Sequence, residues 1–195
     1  MDYNKLVLTD VDGVLLDWEL GFDDWMQFQG YQKVDNWNEI YKIGERYGIS
    51  NNRGHDLVRI FNNHARVGYL PALRDAVEYV KKLHHEHGYK FRCITSLSLD
   101  PYAKKIRTNN LFDIFGEQVF DGIICLDTGA DKDDALEPYR DTGLVWIEDK
   151  PENAVVGNKL GLKAILVEHG HNVDFELTDN VKRVQNWKEI YELLV

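Results

Sequence analysis

The sequence predicts an α/β fold: a Rossmann-like parallel sheet with helices on both faces, plus a small all-helical cap. Three observations predict it. Five strand-length runs rich in β-branched or aromatic residues recur along the 195 residues, at 5–9, 89–94, 120–126, 143–147 and 163–167. Amphipathic stretches separate most of them, and strands alternating with helices pack as a parallel sheet covered on both sides. The alternation breaks once, over residues 17–66, where aromatic-rich helical patterns replace any convincing strand. This divides the chain into a core domain, 1–16 and 67–195, and a helical cap, 17–66, inserted after the first strand.

In chain order, Lys5-Leu6-Val7-Leu8-Thr9 forms the first strand and runs into Asp10. Within the insertion, helical patterns fall around 18–29, 35–47 and 53–66, with Gly48-Ile49-Ser50-Asn51-Asn52 as a turn. Residues 71–87 read as a helix. Pro71 suits its first turn, Leu73, Val77, Val80 and Leu83 make its apolar stripe, and Gly88 sits at the stop position. Asp100-Pro101 opens the next helix with Asp100 as N-cap. Pro151 opens another, through Ala154, Val155 and Leu160 to Gly161, and a last covers 186–194.

Composition narrows the function. Hydrophobic residues make up 44% and charged residues 29%, an ordinary globular balance rather than a disordered or fibrous one. With 23 Lys+Arg against 33 Asp+Glu the net charge is −10, which disfavours polymeric nucleic acid as a partner. No apolar run approaches the roughly 20 residues of a membrane span, so no membrane association is expected. Met1-Asp2-Tyr3-Asn4-Lys5 lacks the order of a signal peptide. Cys93 and Cys125, both in apolar runs, read as buried free thiols, and the expected location is cytoplasmic.

The chemistry sits where the strands end. The first strand is followed by Asp10-Val11-Asp12-Gly13-Val14-Leu15-Leu16-Asp17. Carboxylates at i and i+2 point the same way if the strand continues, and two like charges that close need a neutralising partner. A hard divalent cation such as Mg²⁺ fits oxygen ligands, although Asp10 and Asp12 alone also read as turn caps. The second run ends in Thr95-Ser96, the third is followed by Lys132, and the fourth ends in Glu148-Asp149-Lys150-Pro151-Glu152-Asn153. Ligands of open parallel sheets bind at that carboxyl edge. Carboxylates for a metal, with Lys and Thr donors for an anion, make an inventory for phosphoryl transfer.

These four motifs, in this order and each after a strand, resemble those of the haloacid-dehalogenase (HAD) superfamily. Asp10-Val11-Asp12-Gly13-Val14 is similar to its D-x-D-G-[TV] motif. Thr95 matches the second motif, Lys132 the third, and Glu148-Asp149 with Asn153 the fourth. The insertion at 17–66 resembles the family's helical cap. The resemblance implies a phosphatase in which Asp10 is the nucleophile and forms an aspartyl-phosphate. Asp12 would then protonate the leaving group and activate water, while Thr95 and Lys132 hold the phosphoryl oxygens. Asp10, Asp149 and the Asp12 carbonyl would bind Mg²⁺. Glu148 and Asn153 depart from the commoner G-D-x-x-x-D and D-D-x-x-x-D patterns, which leaves their roles open. Lys150 and Ser96 are rivals to Lys132 and Thr95; Lys150, opening a helix, reads as a surface residue.

The expected substrate is a small phosphorylated metabolite. The opening through Trp18 and the small aromatic cap are also similar to cytosolic 5′(3′)-deoxyribonucleotidases, which makes a nucleotide one candidate. A dehalogenase has less use for Asp12, since a halide leaves without an acid. The same fold and motifs are also compatible with a phosphomutase, and the fold alone with a non-catalytic binding module. The aromatic set Trp18, Phe22, Trp25, Phe28, Tyr31 and Trp37 reads mostly as cap core, with Trp25 and Arg66 as the expected substrate contacts and Arg53, Arg59 and His64 as further candidates for a second anion. His84, His85 and His87 read as cations near a helix C-terminus, and His169 and His171 as loop histidines.

Overall fold

The computed structural model describes residues 5–177 and 180–195; Met1-Asp2-Tyr3-Asn4, on which the reading of the chain's start rests, lie outside them. Six strands, β1 (Leu6–Thr9), β2 (Lys90–Thr95), β3 (Phe120–Cys125), β4 (Val145–Glu148), β5 (Lys163–Val167) and β6 (Lys182–Val184), form one parallel sheet in the order β3-β2-β1-β4-β5-β6. The helices are α1 (Trp18–Phe28), α2 (Ile43–Arg46), α3 (Asn51–Asn62), α4 (Ala76–His87), α5 (Pro101–Phe115), α6 (Asp133–Leu136), α7 (Pro151–Lys159) and α8 (Trp187–Leu194). The predicted parallel α/β sheet is therefore the observed one. It gains β6, whose three residues Lys182, Arg183 and Val184 are too few and too charged to stand out in the sequence. No helix among the described residues is long and apolar enough to cross a membrane.

Side-chain alternation builds two apolar layers. On one face Val7, Phe91, Cys93, Ile147 and Ile165 join a cluster that includes Val80 and Leu83 of α4 and Trp187 and Ile190 of α8. On the other, Leu6, Leu8, Ile94 and Trp146 pack with Leu136, Leu160 and Leu162. Cys93 is buried, Cys125 is half-buried, and both are free thiols.

The described residues of 17–66 hold helices and turns but no strand. Their apolar residues Phe22, Trp25, Met26, Leu57 and Phe61 belong to the same cluster as one sheet face, so the insertion is continuous with the core. The pattern at 35–47 yields only a 3-10 turn (Trp37–Glu39) and the four residues of α2. The third pattern begins earlier, at Asn51, because the Ser50 hydroxyl accepts from the Arg53 N–H (3.2 Å).

Pro71 does not open α4. Its carbonyl accepts from the Asp17 N–H (2.9 Å), and Ala72 pairs with Leu16 in an antiparallel bridge, so the helix starts at Ala76. Asp75 leaves its own helix uncapped and caps α8 instead, accepting from the N–H groups of Trp187 (2.9 Å) and Lys188 (3.0 Å). The Trp187 indole then donates to the Val14 carbonyl (2.8 Å), which ties the last helix to the loop after β1. Gly88, Asp100 and Pro151 occupy their expected stop, cap and start positions.

Close approach of α7 to β4 positions the end of β4. An added Cβ on Gly157 would lie 2.3 Å from Cδ1 of the fully buried Trp146. Gly157→Ala gains up to about 1 kcal/mol in helix propensity but overpacks a site with no room. The expected net loss is about 2 kcal/mol, read from chemical denaturation; a variant as stable as the parent would show that this contact does not set the helix position.

Candidate active site

The strand order reverses between β1 and β4, and the residues that follow these neighbouring strands meet at the sheet's carboxyl edge. Asp10 follows β1, Glu148 ends β4 and Asp149 follows it. One carboxylate oxygen from each lies within 4.8 Å of the others. Lys132, at the start of α6, reaches the same point. Its Nζ is 2.7 Å from Asp10 Oδ2 and 3.0 Å from Glu148 Oε1, and the residue is 1% exposed.

The protonation of each group follows from its surroundings. Burial pushes Asp10 up to about 7, with the Glu148 charge adding and Lys132 opposing. Burial and then the Asp10 charge push Asp149 up to about 7. Burial works against the Lys132 ammonium, but the Asp10 and Glu148 carboxylates outweigh it and hold its pKa above the usual lysine value. Glu148 is spoken for. It accepts from Lys132, from the Asn153 amide (2.5 Å) and from the Asp149 N–H (2.9 Å). Asp10 is likewise bonded on both oxygens, by the Val11 N–H (2.7 Å) and by Lys132, and the three carboxylates together offer the oxygen-only chemistry that a hard divalent cation such as Mg²⁺ selects. Glu148 and Asn153, whose roles the motif left open, orient Lys132 and the Asp149 backbone.

Thr95, at the end of β2, lines the same cleft, and its Oγ1 is buried without a hydrogen-bond partner among the described residues. Ser96 instead donates to the Ala130 carbonyl (2.8 Å). Asp12 lines the cleft too, and its Oδ1 accepts from Arg107 Nη1 (2.5 Å). Lys150 is half-buried and lines the cleft, and of the two lysines it is Lys132 that lies against Asp10. Gly13 is required twice over. Its φ is +73°, and an added Cβ would lie 2.3 Å from Asp149 Oδ2.

The carboxyl edge opens into a cavity of about 330 Å³ whose opposite wall comes from the insertion, including Trp18, Tyr41, Arg46, His55, Arg59 and Asn62. The structure does not bring Trp25 or Arg66 to it. Trp25 is 5% exposed and packs on Phe22 and Phe61 in the core, and Arg66 lies over the exposed ring of Phe28. The aromatic rings of the insertion that reach the cleft are Tyr41 and Trp18, the latter stacked on Phe22 and donating through its indole to Asn62 (2.9 Å). Arg53 and His64 are also elsewhere, whereas Arg59 lines the wall and pairs with Asp127 (3.6 Å). The cluster His84, His85 and His87 stays away from the cleft, with His84 on the Tyr89 carbonyl and His87 on the Tyr191 hydroxyl.

Sequence reasoning undervalued the loop after β5. His169 and His171 both line the cleft and stack on each other (5.5 Å, 10°). His169 Nε2 bonds the Gly13 carbonyl (2.7 Å), and burial pushes the His171 imidazole down to about 4. Asn172, 1% exposed, braces this loop. Its amide donates to the carbonyls of Asp149 (2.8 Å) and Val167 (2.9 Å), and its Oδ1 accepts from the His169 N–H (3.0 Å). The spacing His-x-His-Asn just after a strand was the available signal. Arg107 and Arg46, both buried, carried none.

No family model and no curated protein matches this sequence. Solved structures do. A haloacid dehalogenase-like family hydrolase from Streptococcus pneumoniae superposes with a TM-score of 0.67 at 13% identity, over 98% of each chain. A predicted phosphatase from Clostridium acetobutylicum gives 0.67 at 16% identity, over 97% of each. An L-2-haloacid dehalogenase from Xanthobacter autotrophicus gives 0.62 at 10% identity, over 97% of this chain and 98% of that one. The fold is thus that of the haloacid-dehalogenase-like proteins, in agreement with the motif resemblance.

The Gly13–Asp149 contact yields a test. Gly13→Ala should push the Asp149 carboxylate aside and weaken divalent-cation binding about 10–100-fold, read from the Mg²⁺ concentration that gives half the maximal thermal shift. Unchanged affinity would remove Asp149 from the cation site.

Proposed function

We propose that this protein is a Mg²⁺-dependent phosphomonoesterase that acts on a small phosphorylated metabolite through an aspartyl-phosphate on Asp10, in a cytoplasmic setting. The observation that carries the reading is the Asp10–Lys132–Glu148 arrangement, with Asp149 beside it and an unpartnered Thr95 hydroxyl facing the same cleft. Mg²⁺, held by Asp10 and Asp149 with the Asp12 carbonyl, would supply charge neutralisation for the phosphoryl group. The Asp10 carboxylate attacks phosphorus as the ester P–O bond breaks. Asp12 gives a proton to the departing oxygen, then takes one from the water that hydrolyses the acyl phosphate. Lys132 has a third N–H beyond those on Asp10 and Glu148, and with Thr95 it holds the transferring oxygens.

Residues 17–66 act in this reading as the cap that selects the leaving group, because the sheet edge meets only the phosphoryl group common to all esters. Nucleoside monophosphates are the members of the substrate class to test first, since Trp18 and Tyr41 offer rings to the cleft. Asp12 favours an ester over a halide. The decisive measurement is Mg²⁺-dependent phosphate release from p-nitrophenyl phosphate and a metabolite panel.

Asp10→Asn should keep the fold and lower turnover by many orders of magnitude, because the amide is nearly isosteric but a far poorer nucleophile. Activity within tenfold of wild type would sink the nucleophile assignment. Ca²⁺ should inhibit, since its larger and looser shell misplaces Asp10. Full activity in excess chelator would remove the metal.

A pH test follows from the crowding of the carboxylates. In the metal-free protein Asp10 and Asp149 titrate near 7, against 3.8 as the ordinary value for aspartate. Between these values the folded chain holds protons that the unfolded chain has released, so these groups cost stability as pH rises through that window. A cation replaces those protons. The Mg²⁺-induced rise in Tm should therefore be larger at pH 8 than at pH 6, and an equal rise at both would place the cation elsewhere.

A further inference from the structure

The inward stripe of α5 is Ala103, Arg107, Asn110, Leu111 and Phe115. At this spacing a core-facing helix normally presents apolar residues, yet two of the five are polar and both are tied to one segment. Asn110 clamps the Leu70 backbone, accepting from its N–H and donating to its carbonyl (3.1 Å each). Arg107, with 0% exposure, donates through Nε to the Val67 carbonyl (3.3 Å) and through Nη1 to Asp12 Oδ1 (2.5 Å). Its Nη2 is buried with no partner among the described residues. Val67 and Leu70 lie on the segment that returns the chain from the insertion to the sheet domain.

A buried ion pair is weak evidence for stability, because an apolar pair of similar volume does as well. A fully buried arginine on an inner helix face calls for another reason. Asp12 lines the cleft and Arg107 does not, so the guanidinium meets the carboxylate from the interior side. We propose that Arg107 is the positioning residue of Asp12: by holding Oδ1 it fixes the carboxylate so that the other oxygen is presented to the leaving group. Arg107 stays protonated throughout and moves no proton itself. The proton passes from the free oxygen of Asp12 to the ester oxygen as that P–O bond breaks, and the electron pair leaves with the oxygen. This inference rests on the phosphatase reading above.

Leaving-group dependence tests it. The ratio kcat/KM covers events only as far as departure of the leaving group, which is the step that needs the acid. A good leaving group such as p-nitrophenolate needs little help, and a poor one such as phenolate or an alkoxide needs much. The probes are p-nitrophenyl, phenyl and glycerol phosphates, with the full chain and Mg²⁺. Arg107→Met should lower kcat/KM about 100-fold for phenyl and glycerol phosphates and less than about tenfold for p-nitrophenyl phosphate. Arg107→Lys should fall between, since one ammonium does not reproduce the fork that bonds Val67 and Asp12 together. Partial unfolding lowers every rate by one factor, so the ratio between substrates is blind to it. In an Asp12→Ala background, Arg107→Met should cost less than about twofold more. Equal losses on all three esters, or a full additional loss in that background, would overturn the assignment while leaving the phosphatase reading intact. Failure of the wild-type protein to hydrolyse any of the esters would overturn the phosphatase reading and this inference with it.

Discussion

The site depends on one ammonium group held out of water. Asp10, Glu148 and Asp149 crowd one end of the sheet, and carboxylates that close repel unless a cation lies among them. Lys132 meets that need from inside the protein. It arrives from beyond β3, two strands away from β1, and gives up essentially all its solvent to lie between Asp10 and Glu148. A charge buried so completely persists only with partners on both sides. Glu148 is one of those partners and is itself fixed by Asn153 and by the Asp149 N–H. The proposed nucleophile is thus oriented by a chain of contacts in which no member can turn without exposing another to an uncompensated charge.

That constraint also explains the demand on the sheet. Asp10 and Asp149 are neighbours because β1 and β4 pair directly. The close approach of the Gly13 backbone to the Asp149 carboxylate completes the contact from the other side. The loop after β5 adds a second brace, with Asn172 on the Asp149 carbonyl and His169 on the Gly13 carbonyl. Both loops that carry the crowded carboxylates are therefore held at their backbone carbonyls by side chains of a third. Preorganisation of this kind lets electrostatic stabilisation act without rearrangement during the reaction.

The sheet and its carboxyl-edge residues were legible in the sequence because their signals are local. Strand-length apolar runs, Asp100 and Pro151 at helix starts, and Gly88 at a helix stop each act on their own neighbours. The motif residues Asp10, Asp12, Thr95, Lys132 and Asp149 were legible for the same reason: each closes or closely follows a strand, and the sheet gathers strand ends. Pro71 misled because its proline signal was satisfied in an extended segment paired to Leu16 and Asp17 rather than in a helix. Trp25 and Arg66 misled because periodicity tells which helix face is apolar but not which ring of that face meets a cleft. Trp18, at the start of the same helix as Trp25, took that place because its partner Asn62 comes from α3, a contact no local pattern contains.

Residues that hold other residues were the least legible, and their placement shows why. Arg107, Asn110 and Asn172 are polar side chains at interior positions, where sequence patterning expects apolar ones. Each is compensated by backbone groups or a carboxylate far away in the chain: Val67 and Asp12, Leu70, and Asp149. Departures from the apolar pattern therefore mark the supporting layer of the site as surely as the motifs mark the residues in the cleft. On α5 the two departures converge on the return segment of the insertion. One planar guanidinium bonds both the Val67 carbonyl and Asp12, so a displacement of that segment at Val67 is felt at the Asp12 carboxylate. The same helix that anchors the insertion's return to the sheet domain thereby also holds the carboxylate of the proposed acid.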